Sequence, residues 1–401
     1  MKLLQLVNKF PYPPIDGGAI ATLNLTRAFS ALGHEVTVLA MNTSKHHYDL
    51  DQLPSGIKRL AHFHAIDVDN RVSGTGALIA LLQNRSYHVS RFISAAFNDK
   101  LIELLHAEEY DLVQLEGLYL APYVETIRAF SGARIAMRAH NVEHLIWERN
   151  AQRETSLLKK WYLGKLAKQL KDYELSRLGK YDFLVPISPA DAEYFRKYEM
   201  ETPIHVCPAS YDEERVRPSG VADLTPTLFF LGSLDWAPNL EGLRWFLEHA
   251  WSRVSAQFPG LKFYIAGRNT PAELKQLNIP NVIVLGEVED ACSFMDGKQI
   301  MVVPLFAGSG MRVKIVEGMA LGKTIVSTSI GAEGTGARDG RELFIADTAD
   351  AFITCIGRCV NDQNLCKRTG EAARLFAQEH FSARATAKAL IDFYSKELAA
   401  C

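Results

Sequence analysis

Residues Pro304 to Gly334, PLFAGSGMRVKIVEGMALGKTIVSTSIGAEG, decide how the second half of this chain folds. Ile300 to Leu305 is an apolar run with β-branched residues, long enough for a buried strand. Gly308-Ser309-Gly310 then bends the chain, Arg312 to Leu321 has helical spacing, and Thr324 to Thr328 reads as the next strand. The first amides of a helix lack internal partners and sit at the positive end of its dipole, so a phosphate is a natural guest there. Arg312 and Lys314 add two full positive charges to that expectation.

Glu317 lies eight residues beyond Ser309, which a helical rise converts to roughly 12 Å. That is about the span of a nucleotide sugar, from ribose across two phosphates to the hexose. In this reading Glu317 accepts hydrogen bonds from ribose hydroxyls, Arg312 and Lys314 meet the diphosphate, and Ser309 with the Gly310 and Met311 amides faces the sugar. A carboxylate suits a diol because it accepts through two oxygens. The same residues are compatible with an ordinary surface helix on which Lys314 and Glu317 are solvated.

Glu317-Gly318-Met319-Ala320, with Gly322 and the strand Thr324-Ile325-Val326-Ser327-Thr328, resembles the nucleotide-sugar signature of the GT4-type glycosyltransferases (glycosyl transferases group 1). That family usually carries an acid, seven intervening positions and a second Glu. This chain keeps the second acid as Glu317 and has Ser309 in the first position, like a subgroup with Gly-x-Gly-x-Arg-x-Lys there. The resemblance covers nearly the whole chain. It implies the GT-B fold, α/β with two Rossmann-like doubly wound domains facing a central cleft, and a retaining hexosyltransferase-like enzyme acting on a nucleotide-diphosphate sugar.

The N-terminus agrees. Leu3 to Val7 is an apolar strand, Phe10 to Gly18 a Pro- and Gly-rich loop, Ile20 to Leu32 a helical pattern closed by Gly33, and Val36 to Ala40 the next strand. This is one βαβ unit of a doubly wound sheet. The resemblance gives Gly17 and Gly18 the role of letting backbone approach the donor phosphates; a turn that simply needs glycine is the structural alternative. A nicotinamide-dinucleotide site is excluded on two counts. The loop lacks G-x-G-x-x-G, and the second strand ends in Met41-Asn42 without an acid for a ribose.

A second series begins after the interrupted stretch from Pro203 to Pro226: strand Thr227 to Leu231, loop Gly232 to Asn239, helix Leu240 to Phe258, strand Leu261 to Ala266 ending at Gly267-Arg268, and strand Val282 to Leu285. The family often places a basic residue after the glycine of the first of these strands. Trp236, Pro238 and Asn239 stand there instead, so Arg312 and Lys314 are expected to carry that charge. Gly232, Arg268 and Val288 complete the expected donor-binding set, Val288 lying in Gly286-Glu287-Val288, where the family binds the base. Expected boundaries are residues 1–205 for an acceptor-side domain, 206–380 for the donor domain, and 381–401 for a terminal helix crossing back to the first.

His140 follows the strand Ala133 to Ala139, at the edge where such sheets bind ligands. The resemblance makes it the catalytic candidate beside Arg312 and Lys314, with Asn141 and Glu143 as acceptor-side candidates. A lone histidine is also a common structural residue. His140-Asn141-Val142-Glu143-His144 matches the zinc motif H-x-x-E-H, but a strand running into His140 keeps both histidines off one helical face. Asp67-Val68-Asp69 mimics a metal-binding Asp-x-Asp and reads as a solvated turn. No metal or other cofactor is expected.

Length, 401 residues, favours two or three domains; 48% hydrophobic and 22% charged residues with a net charge of −2 give no sign of nucleic-acid binding. The six cysteines form no C-x-x-C pair. The apolar run after Met1 is too short for a signal peptide, and no stretch reaches the roughly 18 apolar residues of a membrane span. A cytoplasmic enzyme is therefore expected. Trp161, Tyr162, Leu163 and Leu166 among Lys159, Lys160, Lys165, Lys168 and Lys171 form a basic helix that suits either solvent or the inner face of an anionic membrane, and so a lipid-linked acceptor. A glycan or small-molecule acceptor fits as well. Rival functions are a nucleotide-sugar epimerase and a non-catalytic nucleotide-sugar-binding protein.

Overall fold

The computed structural model describes residues 1–44, 46–73, 80, 85–198, 201–219, 226–308 and 311–399. The chain divides into two compact units, one made of Met1–Ala209 with Ala383–Cys401 and one of Ser210–Ser382.

The first unit is built on six parallel strands: β1 (Lys2–Val7), β2 (Glu35–Thr43), β3 (His62–Val68), β4 (Leu112–Glu116), β5 (Arg134–Ala139) and β6 (Phe183–Pro186), in the order β3-β2-β1-β4-β5-β6. Strand β1 reads KLLQLV and is buried after its first residue, as a strand covered on both faces must be. The order reverses between β1 and β4, which makes their C-terminal ends the switch point where such sheets take ligands. Helix Gly17–Ala31 leaves β1 with Asp16 as its N-cap and ends before Gly33, whose φ of +83° is the left-handed conformation glycine adopts without strain. The helix Ala383–Ala399 returns to this unit, where Ala387, Leu390, Ile391 and Tyr394 join a core with Val7, Phe29 and Phe183.

The second unit repeats the plan. Strands β7 (Thr227–Leu231), β8 (Lys262–Ala266), β9 (Val282–Gly286), β10 (Ile300–Val303), β11 (Thr324–Ser327) and β12 (Phe344–Ile345) stand in the order β12-β11-β10-β7-β8-β9, all parallel. Its switch point lies between β10 and β7. Strand β10 is fully buried, and the helix Val313–Ala320 behind it buries seven of its eight residues.

Two expectations need correction. Asn239 lies inside the helix Ala237–Phe246, not in the preceding loop, because Pro238 fits a first helical turn and the Asn239 amide bonds the Trp236 carbonyl at 3.0 Å. Asp67-Val68-Asp69 is no turn: Asp67 and Val68 close β3, paired with Asn42 and Thr43. Asp67 accepts from Asn42 Nδ2 at 3.0 Å, and Asp69 meets Arg71 at 2.6 Å, so each acid has its own partner.

Candidate active site

Two adjacent parallel strand ends position the first cluster. Glu116 is the last residue of β4, and His140 follows β5, its neighbour in the sheet. The Glu116 carboxylate accepts from His140 Nε2 at 2.7 Å, Arg138 Nη1 at 3.1 Å, Gln114 Nε2 at 2.5 Å and Thr22 Oγ1 at 3.4 Å. Burial works against its charge, yet Arg138, His140 and Gln114 outweigh that and hold it down at about 2. Burial also lowers His140, with Glu116 opposing and Arg138 assisting. A neutral imidazole facing an ionised carboxylate carries its proton on Nε2, which leaves Nδ1 as the accepting nitrogen.

Thr22 ties the Gly17–Ala31 helix to this cluster, so Gly17 and Gly18, its first two residues, stand at the same switch point. Lys9, at the end of the β1 segment, donates to the capping Asp16 at 2.5 Å, and its charge acts on both His140 and Glu143. Sequence reasoning passed over Lys9, Glu116 and Arg138. A lysine just beyond a strand that feeds a ligand loop was the available signal; for Glu116 the signal was an ionisable residue inside an otherwise apolar strand.

Glu143 opens the helix Glu143–Arg153. It accepts from the Tyr119 hydroxyl at 2.8 Å and from Asn141 Nδ2 at 3.4 Å, while its own amide donates to Glu174 at 3.0 Å. Burial and the neighbouring Glu174 charge push the Glu143 carboxyl up to about 7. It is thus a carboxyl able to hold or release a proton near neutrality. His144 is fully buried, with Nδ1 2.6 Å from Glu174 and Nε2 2.7 Å from the Tyr194 hydroxyl. The two histidines of H-x-x-E-H therefore serve different carboxylates, and among the described residues no group of three or more His, Cys, Asp or Glu side chains could hold a metal ion.

The second cluster occupies the β7/β10 switch point. Arg312 is the N-cap of the Val313–Ala320 helix; its guanidinium lies 5.4 Å from the Trp236 ring, a cation–π contact. Gly308, at φ +121°, packs so closely that a Cβ would collide with Arg312 Nη2. Lys314 donates to the Leu231 carbonyl at 2.9 Å and to Asn239 Oδ1 at 3.0 Å, 4.9 Å from the Phe230 ring. Burial, then the Arg312 charge, lowers Lys314 to about 7. This corrects the expectation of two full positive charges: Arg312 is charged, and Lys314 is poised between forms. Trp236 and Asn239, which stand where a basic residue was sought, instead hold the two basic side chains.

Glu317 is buried in the middle of the same helix, and Arg215 donates to its Oε1. Burial raises its pKa; Arg215 opposes this, and Asp290 and Asp212 reinforce it. Arg215 was missed because it sits in the charged run Asp212-Glu213-Glu214-Arg215, which reads as solvated linker. Gly232 bonds the Ala266 carbonyl at 3.1 Å, and a Cβ on Gly267 would strike the Gly232 carbonyl, so only glycines let these strand ends approach. Arg268 follows β8, its carbonyl accepting from Leu234 at 2.9 Å, and half-buried Val288 follows β9. Met311 is buried. Ser309 and Gly310 lie outside the described residues.

Two Rossmann-like six-stranded units, each with charged groups at its switch point, are the GT-B arrangement of glycosyltransferases. Residues 15–215 match the family described as Glycosyltransferase Family 4, and residues 225–362 match Glycosyl transferases group 1. The chain belongs to Glycosyltransferase Family 4. A relative from Klebsiella pneumoniae, described as an uncharacterized 44.6 kDa protein in the cps region, is 24% identical over 96% of this chain and 97% of its own. Sucrose-phosphate synthase from Thermosynechococcus elongatus superposes with a TM-score of 0.73 at 16% identity, covering 100% of both chains. Anabaena HepE in complex with UDP superposes with a TM-score of 0.66 at 14% identity, covering 99% of this chain and 100% of its own. These likenesses show the fold.

Proposed function

We propose that this glycosyltransferase moves a hexose from a nucleotide-diphosphate sugar to a hydroxyl acceptor with retention at the anomeric carbon. The observation that carries the reading is the placement of Arg312, Lys314 and Glu317 along one short helix that starts at the β7/β10 switch point. The Arg312 and Lys314 heads would meet the diphosphate, with Ser309 and the Gly310 and Met311 amides toward the sugar. Glu317, already aligned by Arg215, would accept from the ribose hydroxyls. Gly232, Arg268 and Val288 would border the nucleotide, the last through backbone groups. HepE is described in complex with UDP-glucose, which supports a donor of this class.

In the first unit, taken by itself, Gly17 and Gly18 would offer helix-start amides to a phosphate, and Nδ1 of His140 would accept from a sugar hydroxyl. Glu116 is the positioning residue that fixes the imidazole for that role. Asn141 and Glu143 serve the acceptor side.

In the transfer step the bond from the anomeric carbon to the diphosphate oxygen breaks, and a bond to the acceptor oxygen forms on the same face. The acceptor proton passes to the departing diphosphate. Arg312 and protonated Lys314 would stabilise the charge that develops on that leaving group. No metal ion is assigned a part in this step.

A thermal-shift screen of nucleotide sugars tests donor binding, since a ligand stabilises the folded state by mass action. The bound donor is then incubated with and without acceptors. Transfer lost in both Arg312→Ala and Lys314→Ala is the expected result. Undiminished turnover in both would overturn the assignment, isomerisation of the donor alone would favour an epimerase, and binding without transfer a non-catalytic protein.

A further inference from the structure

The helix Leu157–Arg177 packs one side into the first unit through Leu166, Ala167 and Leu170. With 100° per residue, its opposite side carries Leu157, Leu158, Trp161, Lys165 and Lys168. Leu157 is 85% exposed, Leu158 77% and Trp161 63%. Three large apolar side chains thus stand in water within a single turn. Lys159 and Lys160, exposed in the same turn, point round to the other side of the helix, while Lys165 and Lys168 continue the apolar side one and two turns on.

We infer that this turn is a docking surface for an anionic lipid bilayer. A helix start is convex and offers no groove for another protein's knob, whereas a bilayer accepts a shallow apolar tip. Leucine and tryptophan suit the acyl and headgroup boundary, and lysines reach anionic headgroups while their stems lie along apolar surface. Self-pairing along this side would bring Lys165 and Lys168 of both copies into one interface. The helix carries six basic residues against Asp172 and Glu174, and Glu174 is buried on His144, so the exposed acid, Asp172, stands four turns from Leu157. Because no described helix is long and apolar enough to cross a membrane, the contact is peripheral. This surface does not depend on the transfer reading.

Cosedimentation of the full chain with vesicles tests it, using phosphatidylcholine alone and phosphatidylcholine with about three parts in ten phosphatidylglycerol. Binding to the anionic vesicles, weakened by salt, is expected. Leu157→Ser with Trp161→Ser should lower that binding at least tenfold while the melting temperature stays nearly unchanged, since both side chains are mostly exposed. Lys165→Glu with Lys168→Glu should remove the preference for anionic lipid, roughly fivefold for each lysine lost. No binding to anionic vesicles, or binding indifferent to the apolar pair, overturns the proposal. Concentration-dependent self-association that disappears in the Leu157/Trp161 variant, without vesicle binding, overturns it in favour of a second copy. No nucleotide or sugar is present, so the outcome is read separately from donor turnover.

Discussion

Glu116 in the first unit and Glu317 in the second are both buried acids at a switch point, each paired with an arginine, yet their carboxyls shift in opposite directions. Glu116 faces Arg138, itself buried, and accepts from three further side chains. Glu317 has one arginine whose side chain is 39% exposed, and the charges of Asp290 and Asp212 bear on it. The first acid is saturated by the fold; the second keeps acceptor capacity and electrostatic strain that a ligand could relieve. Burial alone therefore does not mark a functional carboxylate. What separates the two acids is the donors already committed to them, four side chains for Glu116 and Arg215 for Glu317.

The largest expected effect would break this contrast on the structural side. Glu116→Ala leaves the Arg138 guanidinium buried without its counter-charge, which costs about 3–5 kcal/mol. Denaturant unfolding should show that loss as a lower midpoint at unchanged slope. Glu317→Gln should do the reverse: stability within about 1 kcal/mol, but a nucleotide-sugar KM raised roughly 10- to 100-fold, the worth of a hydrogen bond to a charged group. If Glu317→Gln unfolds the protein and leaves KM alone, the contrast fails.

Lys314 supplies a pH test. Its pKa in the folded chain is about 7, against about 10.4 unfolded. Across that window the unfolded state binds more protons, so Lys314 contributes stability that grows as pH rises from about 7. Ligand binding should run the other way, because an anionic diphosphate favours the ammonium. Calorimetric titration with a nucleoside diphosphate should show affinity falling above pH 7, by at most about tenfold per pH unit for one proton. Lys314→Met should flatten that profile. A smaller effect than that of Glu116→Ala is expected for Arg215→Ala, which leaves the buried Glu317 carboxyl without its arginine: about 1–3 kcal/mol of stability, because the carboxyl can take up a proton, with a several-fold rise in donor KM that steady-state kinetics would detect.

The fold was legible because its strands are continuous apolar runs punctuated by glycine. Thr227 to Leu231 reads as a strand and is one, and Gly33 ends its helix in the conformation that glycine permits. The site was legible only where its residues are close in sequence, as in Arg312, Lys314 and Glu317. Glu116 and His140 are 24 positions apart, and Arg215 and Glu317 are 102 apart. Parallel strands bring such pairs together through long crossovers, and no local periodicity records the meeting. The lowered pKa of Lys314 is hidden for the same reason, since its causes include burial behind Leu231 and Phe230, far back in the chain.

The return of the Ala383–Ala399 helix has a consequence for biosynthesis. Tyr394 is fully buried in the first unit and its hydroxyl donates to Gln114 at 2.9 Å; Gln114 in turn donates to the Glu116 that holds His140. As the chain emerges from the ribosome, the first sheet is made long before the helix that covers it. Nearly two hundred residues later, the Ala383–Ala399 helix supplies the missing piece of that core. A nascent or truncated chain lacking this helix leaves apolar strand surface open, which is the kind of surface that recruits chaperones or aggregates. The histidine site is therefore completed by residues made almost two hundred positions after its sheet.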